Sequence, residues 1–436
     1  MTFIFYFGAA EMLIIYNLLF PLVFLFFLPG LLWKLWRRPG WKKTFGERFG
    51  SFSKKRFEEL SALQNVVWIH SVSVGETMIA LALLKEWREQ YPNHDFVLST
   101  TTTTGQALAR EKAPDGVKVI FCPIDFINFV SRTVLIIKPK ILVILETEIW
   151  PNLIWAVKTH GAKVALINGR MSDHSMRGYR RFRFFFAPTL RRFDLISVQT
   201  PVDAERYWAV CADAKVKVNG NLKFDQQIPD NLAKIALEEY FGPGQHLILL
   251  AASTHPGEEA LICGILPNLL KKFPPLKLIL IPRHAERGSD VAAILKKQKL
   301  KFCRRSLNEI PAQPVDCLLA DTTGEMLSFM KAADIVIMGK SLAGQNEGHN
   351  LIEPALLGKP IITGAVLKNF RFVLETLKNH QALALVDNDS ELENIIARLL
   401  DNPDLRTELG RKAHEAIAEH KGAVKRNIEQ LEEMLK

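Results

Sequence analysis

Cysteine is scarce in this chain. Five cysteines among 436 residues (Cys122, Cys211, Cys263, Cys303 and Cys317) form no Cys-x-x-Cys pair and no metal-type spacing. That excludes a disulfide framework or a zinc ribbon and points to a reducing compartment, with the thiols packed as small apolar groups. Short internal repeats and low-complexity tracts are also missing, which excludes a solenoid and a disordered scaffold. No basic stretch precedes the apolar amino-terminal run and no small-residue cleavage site follows it, so a secretory signal peptide is excluded too.

What is present is a long apolar segment and a positive charge. Met12–Trp33 is almost wholly apolar, interrupted by Asn17, Pro21 and Pro29, and a bilayer core needs roughly 20 such residues. Lys34, Arg37, Arg38, Lys42 and Lys43 follow it, which by the positive-inside rule places everything downstream in the cytoplasm. Trp33, Trp36 and Trp41 suit a membrane interface. Asn17 and Pro21 also leave room for partial insertion, and a buried hairpin of a globular domain is the alternative. The net charge is +10 with an isoelectric point near 9.3. Part of it sits in a second basic stretch, residues 171–186, where Arg177, Arg180, Arg181 and Arg183 alternate with Tyr179, Phe182 and Phe184. Such a pattern suits nucleic acid or anionic lipid head groups; beside a membrane segment, lipid is the better fit.

Beyond residue 65 short apolar runs alternate with helical patterns, the mark of βαβ units and parallel sheets. Strands are expected at 66–72, 96–100, 117–122, 141–146, 163–168, 195–199 and 215–219. After a Pro- and Gly-containing linker they resume at 247–252, 276–281, 316–320, 335–338, 360–363 and 382–386. The division predicted is an anchor and basic flank over 1–37, a Rossmann-like domain over 38–225, a linker over 226–245, a second Rossmann-like domain over 246–401, and carboxy-terminal helices over 402–436. Two such halves would face a cleft.

Candidate chemistry lies where strands end, the ligand side of such sheets. Glu76, in Ser73-Val74-Gly75-Glu76, stands at a helix start, where it acts as a general base or only complements the helix dipole. Glu146 and Glu148 end another strand, with no His or Asp cluster beside them to suggest a metal. Lys223, in Gly220-Asn221-Leu222-Lys223, either neutralises charge on a leaving group or is a surface lysine. In the second half come Ser253-Thr254-His255-Pro256-Gly257-Glu258-Glu259, then Pro282-Arg283-His284, then Thr323-Gly324-Glu325. The last is the loop from Gly339 to Gly364, with Asn350 as a helix cap and Glu353-Pro354 in the first turn. Each is an ordinary βα turn taken alone. Together they read as a nucleotide site, with free loop amides and a helix N-terminus for phosphate and Glu353 for ribose.

The ordered motifs WIHSVSVGE, STTTTTG, ETEIWPNL, INGRMSDHS, SVQTP, GNLKFD, AASTHPGEE, IPRHAER, DTTGE and GHNLIEPALLGKP resemble the Kdo transferases. These move 3-deoxy-D-manno-octulosonic acid from CMP-Kdo to the lipid A precursor of lipopolysaccharide. The resemblance implies an α/β GT-B glycosyltransferase fold with an amino-terminal membrane anchor helix, on the cytoplasmic side of the cell inner membrane. It implies Glu76 as catalytic base, Glu146 and Lys223 as transition-state stabilisers, and Pro282, Arg283, Thr323, Gly324, Glu325, Asn350, Leu351, Ile352 and Glu353 as CMP-Kdo contacts. It implies no cofactor, no metal and no nucleic acid partner. Glu347 departs from the glycine common at its position, and is expected to point away from the phosphate. Another GT-B enzyme, such as a nucleotide-sugar epimerase or a transferase for a different lipid, is the rival reading. A non-enzymatic polyanion or lipid binder is the second.

Overall fold

The structure, a computed structural model, describes residues 9–36, 45–368 and 370–436. It forms two compact units, the first Met1–Gln226 with Lys421–Lys436 and the second Gln227–His420.

In the first unit β1 (Val67–Ser71), β2 (Phe96–Thr100), β3 (Lys118–Phe121), β4 (Ile141–Leu145), β5 (Lys163–Gly169), β6 (Leu195–Val198) and β7 (Val216–Val218) make one parallel sheet in the order β3-β2-β1-β4-β5-β6-β7. β1 and β4 are buried along their whole length, as continuous apolar runs covered by helices on both faces must be. Trp68, Leu142 and Ile144 pack on one face with Leu153 and Ile154. Val67, Ile69 and Val143 pack on the other with Ile79, Leu83 and Leu84. The helix Val74–Gln90 starts at Ser73, whose hydroxyl accepts from Glu76 N–H at 3.3 Å, half of a capping box. The predicted tail helices divide. Pro403–Ala418 stays with the second unit, while Ala423–Leu435 belongs to the first. There Val424, Ile428 and Leu431 cover the sheet and Asp225 accepts from Gly422 and Val424 N–H.

The second unit repeats the architecture. β8 (Leu247–Thr254), β9 (Leu276–Pro282), β10 (Phe302–Arg304), β11 (Cys317–Leu319), β12 (Ile335–Met338), β13 (Ile361–Gly364) and β14 (Leu383–Val386) pair in parallel in the order β10-β11-β9-β8-β12-β13-β14. Thirteen of these fourteen strands overlap the expected runs; β10, a three-residue edge strand flanked by lysine and arginine, does not. In both sheets the order reverses beside the first strand, between β1 and β4 and between β8 and β12, the place where a doubly wound sheet opens for ligands.

The amino-terminal segment is a helix, Ala9–Trp36, but its setting differs from the predicted span. Among the described residues no helix is long and apolar enough to cross a membrane. Polar groups pin one side of it to the first unit. Tyr16 donates to Asp125 at 2.9 Å, and the amides of Asn17 and Asn152 exchange two hydrogen bonds of 2.9 Å. Phe20 and Phe24 meet the Phe126 ring edge-on, each at 5.2 Å. Met12, Tyr16, Phe20 and Phe24 recur every fourth residue, and so do the exposed Ile14, Leu18, Leu22 and Phe26, on the opposite side. The tryptophans and the five basic residues of the flank lie outside the described side chains.

Gly339 ends β12 where no side chain fits, since a Cβ would lie 2.3 Å from the Ser253 carbonyl oxygen. Gly339→Ala is expected to destabilise the protein by about 1–3 kcal/mol in chemical denaturation. Gly264→Ala, with open space around its Cβ inside a helix, is expected to stabilise by up to about 1 kcal/mol.

Candidate active site

In the first unit three strand ends converge on a buried carboxylate. Glu146 follows β4 in a left-handed conformation, φ 59°, which turns its side chain back into the unit, where it is 5% exposed. Lys223 Nζ reaches one oxygen at 3.1 Å and Arg170 Nε the other at 3.2 Å. Arg170 follows β5. Lys223 is set by the turn after β7, where the Asn221 side chain accepts from Lys223 N–H at 3.0 Å and Asn168 accepts from Leu222 N–H at 3.0 Å. Asn168 is itself left-handed, φ 55°. A buried charge needs such partners, since removing one leaves the other uncompensated. Lys223 is therefore a half-buried ion-pair member and not a free surface lysine.

Glu76 stands across the strand-order reversal from Glu146. Its carboxylate accepts from Val72 N–H at 2.8 Å and from the Ser73 hydroxyl at 2.9 Å, so it does cap the helix start. Burial nonetheless raises its pKa above the usual carboxylate value; those hydrogen bonds oppose the rise and the Glu146 charge adds to it. Glu148, given no role from the sequence, is pushed up to about 7 by burial, then by the charges of Glu76 and Glu146. Glu76 thus caps the helix start while burial raises its pKa; a raised carboxylate is the kind of group a general base requires.

In the second unit the loops after β8 and β12 are tied by Glu258. Fully buried, it accepts from the N–H groups of His255, Lys340, Ser341 and Leu342 at 2.8–2.9 Å, while Ala343 N–H goes to Asp389 at 3.1 Å. These are amides the sequence had offered to a phosphate, and a protein carboxylate already uses them. The following helix, Ile352–Leu356, is one short turn and a half, with Asn350 accepting from Ile352 N–H at 3.1 Å. Cationic and imidazole side chains stand beside these loops. Arg283 is exposed after the buried Pro282, its N–H bound to the Thr254 carbonyl at 3.0 Å. His255 and His349 meet Nε2 to Nε2 at 3.0 Å. Glu347 turns to Lys340 as an ion pair.

The remaining predicted contacts occupy the same ends of the sheet. Thr323 and Gly324 are exposed and Leu351 and Ile352 buried, with Glu353 in the first turn of its helix. Glu325 is held by Arg305 at 2.8 Å and by the Thr322 hydroxyl at 2.5 Å, and the Arg305 guanidinium keeps its carboxyl below the usual range. Arg305 follows β10, the strand not expected from the sequence, so its approach to Glu325 had no signal. Arg170 was visible as a strand-end residue, but nothing local tied it to Glu146. Among the described residues no group of three or more His, Cys, Asp or Glu side chains could hold a metal.

The model of a family described as 3-deoxy-D-manno-octulosonic-acid transferase (kdotransferase) matches residues 43–226. A 3-deoxy-D-manno-octulosonic acid transferase of Haemophilus influenzae is 31% identical over 402 residues, covering 92% of this chain and 93% of the relative. One from Bordetella pertussis is 31% identical over 427 residues, covering 95% and 96%. Among solved structures, a glycosyltransferase from Rickettsia africae aligns with a TM-score of 0.59 at 14% identity over 86% of this chain and 99% of that one. A UDP-GlcNAc 2-epimerase from Neisseria meningitidis aligns at 0.56 with 13% identity over 85% and 100%. The last two speak to the fold alone.

The carboxylate pair makes a titration testable. In infrared spectra a protonated glutamate carboxyl band is expected to persist up to about pH 7 and to vanish in Glu148→Gln. In Glu76→Gln the band is expected to disappear at lower pH, because losing the neighbouring negative charge lets Glu148 ionise more easily.

Proposed function

We infer that this chain, which belongs to the 3-deoxy-D-manno-octulosonic-acid (Kdo) transferase family, transfers Kdo in lipopolysaccharide core biosynthesis as a GT-B enzyme, with CMP-Kdo as donor and a lipid A precursor as acceptor. The observation that carries the mechanism is Glu76, a partly buried carboxylate at the strand-order reversal of the first unit with its pKa raised beside Glu146. Glu76 takes the proton from a sugar hydroxyl of the acceptor, that oxygen attacks the anomeric carbon of Kdo, and the bond to CMP breaks with inversion. Glu146 holds the Lys223 ammonium in place by a 3.1 Å ion pair, so that a cation stands by where charge develops. In the second unit Arg283 receives the nucleotide phosphate. The epimerase reading shares the fold, but the sequence relatives that span the chain are transferases.

The membrane is the place of the acceptor, and the first unit has a surface for it. The free side of the Ala9–Trp36 helix presents Leu18 and Leu22, and the nearby helices Asp173–Arg181 and Arg183–Leu190 present Arg177, Arg180, Arg181 and Arg183 with Phe182 and Phe184. Tyr16 joins the two features through a 5.9 Å ring contact with Phe185. Apolar side chains between exposed arginines are what an anionic leaflet attracts, here the cytoplasmic face of the inner membrane, with the helix lying in the interface.

Two measurements test this. Release of CMP from CMP-Kdo by detergent-dispersed protein is expected to require the lipid A precursor. In Glu76→Gln it should fall by about 10²–10⁴-fold with CMP binding kept; release that ignores the acceptor would instead mark hydrolase or epimerase chemistry. In vesicle sedimentation, Leu18→Glu with Leu22→Glu is expected to weaken binding by about a hundredfold, at ~1.5 kcal/mol for each leucine no longer inserted. Equal binding of the wild type to neutral and anionic vesicles would overturn the role of the arginines.

A further inference from the structure

His255 and His349 come from the loops after β8 and β12, on the two sides of the strand-order reversal. Their rings stack with centroids 5.2 Å apart and planes 25° from parallel, and their Nε2 atoms are 3.0 Å apart. Only one hydrogen fits between two nitrogens at that distance, since a second would set two N–H groups head to head. The free pair therefore shares a single proton on that edge. An anionic oxygen arriving there can accept from both rings only when the second Nε2 gains a hydrogen.

We propose that His255 and His349 act as one unit that seats the phosphate of the cytidine nucleotide and takes up a proton from solvent as the phosphate binds. The assignment rests on reading the second unit as the donor side. It adds two phosphate-binding residues to that site and a proton to its binding equilibrium.

The surroundings support it. Around the pair stand Arg283, His284, Arg287 and Lys340, with the carboxylates Glu258, Glu259 and Glu347. Each carboxylate is already engaged: Glu258 by four amides, Glu259 by Arg287 at 2.7 Å, Glu347 by Lys340. Glu259 favours the charged form of His255, but burial and the neighbouring cations outweigh it. Burial, then the neighbouring cationic groups, hold His349 down at about 4 and His255 below its ordinary value. A phosphate dianion reverses the balance, because an opposite charge in contact favours the protonated ring. As the two rings are coupled, the proton belongs to the pair.

The test is calorimetric titration of the full chain with CMP in two buffers of different ionisation enthalpy, between pH 7 and 8. In that range CMP is already mostly the dianion, its second phosphate pKa being about 6. Uptake of about one proton is expected, with affinity falling by about tenfold per pH unit; cytidine, without a phosphate, should show neither. His255→Gln and His349→Gln are each expected to flatten that slope. CMP binding by the wild type without buffer-dependent heat and without a pH slope would overturn the proposal and leave the nucleotide site standing. No CMP binding at all would overturn both. Uptake that survives in both variants would assign the proton to His284 and overturn the pair.

Discussion

In each sheet the strand order reverses beside the first strand, and the structure of both candidate sites follows from what fills that place. In the first unit, the helices that follow β1 and β4 depart to opposite faces of the sheet, carrying Ile79 and Leu83 to one core and Leu153 and Ile154 to the other. Backbone between them has no strand to pair with, and a buried polar group without a partner costs about 1–3 kcal/mol. The second unit meets this constraint with a buried glutamate and the first with Glu76, which takes Val72 N–H, while the buried glutamate of the first unit holds side-chain cations. Glu146 gathers Lys223 and Arg170 from the ends of β7 and β5. Glu258 gathers four amides from the loops after β8 and β12. Beside these buried glutamates stand Glu76 and Glu148 in the first unit, and Arg283 and the histidine pair in the second, and among them are the groups to which the proposed function gives the substrate.

That arrangement changes what each charged residue can do. Lys223 bound to Glu146 is less an independent cation than half of a fixed dipole; in the proposed mechanism such a dipole gives electrostatic help that needs no reorganisation during reaction. Glu258 directs its charge to the protein's own loops, so the loop after β12 is held by a carboxylate of the protein itself. Glu347 is likewise tied to Lys340, which offsets its negative charge beside the loops expected to receive a phosphate.

The sequence carried the strands because buried parallel strands are unbroken apolar runs; Ile141–Leu145 is legible as one with no further knowledge. It did not carry β10, where Phe302-Cys303-Arg304 between basic neighbours has neither length nor apolar continuity, and with it went Arg305 and the clamp on Glu325. Glu76, Glu146 and Lys223 were visible as strand-end residues, whereas the partners of the loop amides were not. Lys340, Ser341 and Leu342 donate to a side chain 82–84 residues earlier, and local glycines say nothing about that. The amino-terminal run shows the same division. Its apolar composition is plain in the sequence, but that Tyr16 and Asn17 are spent on Asp125 and Asn152 depends on a surface formed far along the chain. Pairwise, long-range satisfaction of polar groups is the part that composition and periodicity do not encode.

One physical cause, desolvation, acts with opposite sign on the two sites. Burial raises carboxylates and lowers imidazoles, since in each case it opposes the charged form. In the first unit it leaves Glu148 near 7 and Glu76 above its ordinary value; in the second it leaves His349 near 4. Both units are thus drawn toward neutrality before substrate binds. In the proposed mechanism a hydroxyl to be deprotonated meets a carboxylate already inclined to hold a proton, and a phosphate meets imidazoles that charge only in its presence. Charge then appears where the chemistry creates it, and the unliganded protein need not keep two buried and uncompensated clusters of opposite sign.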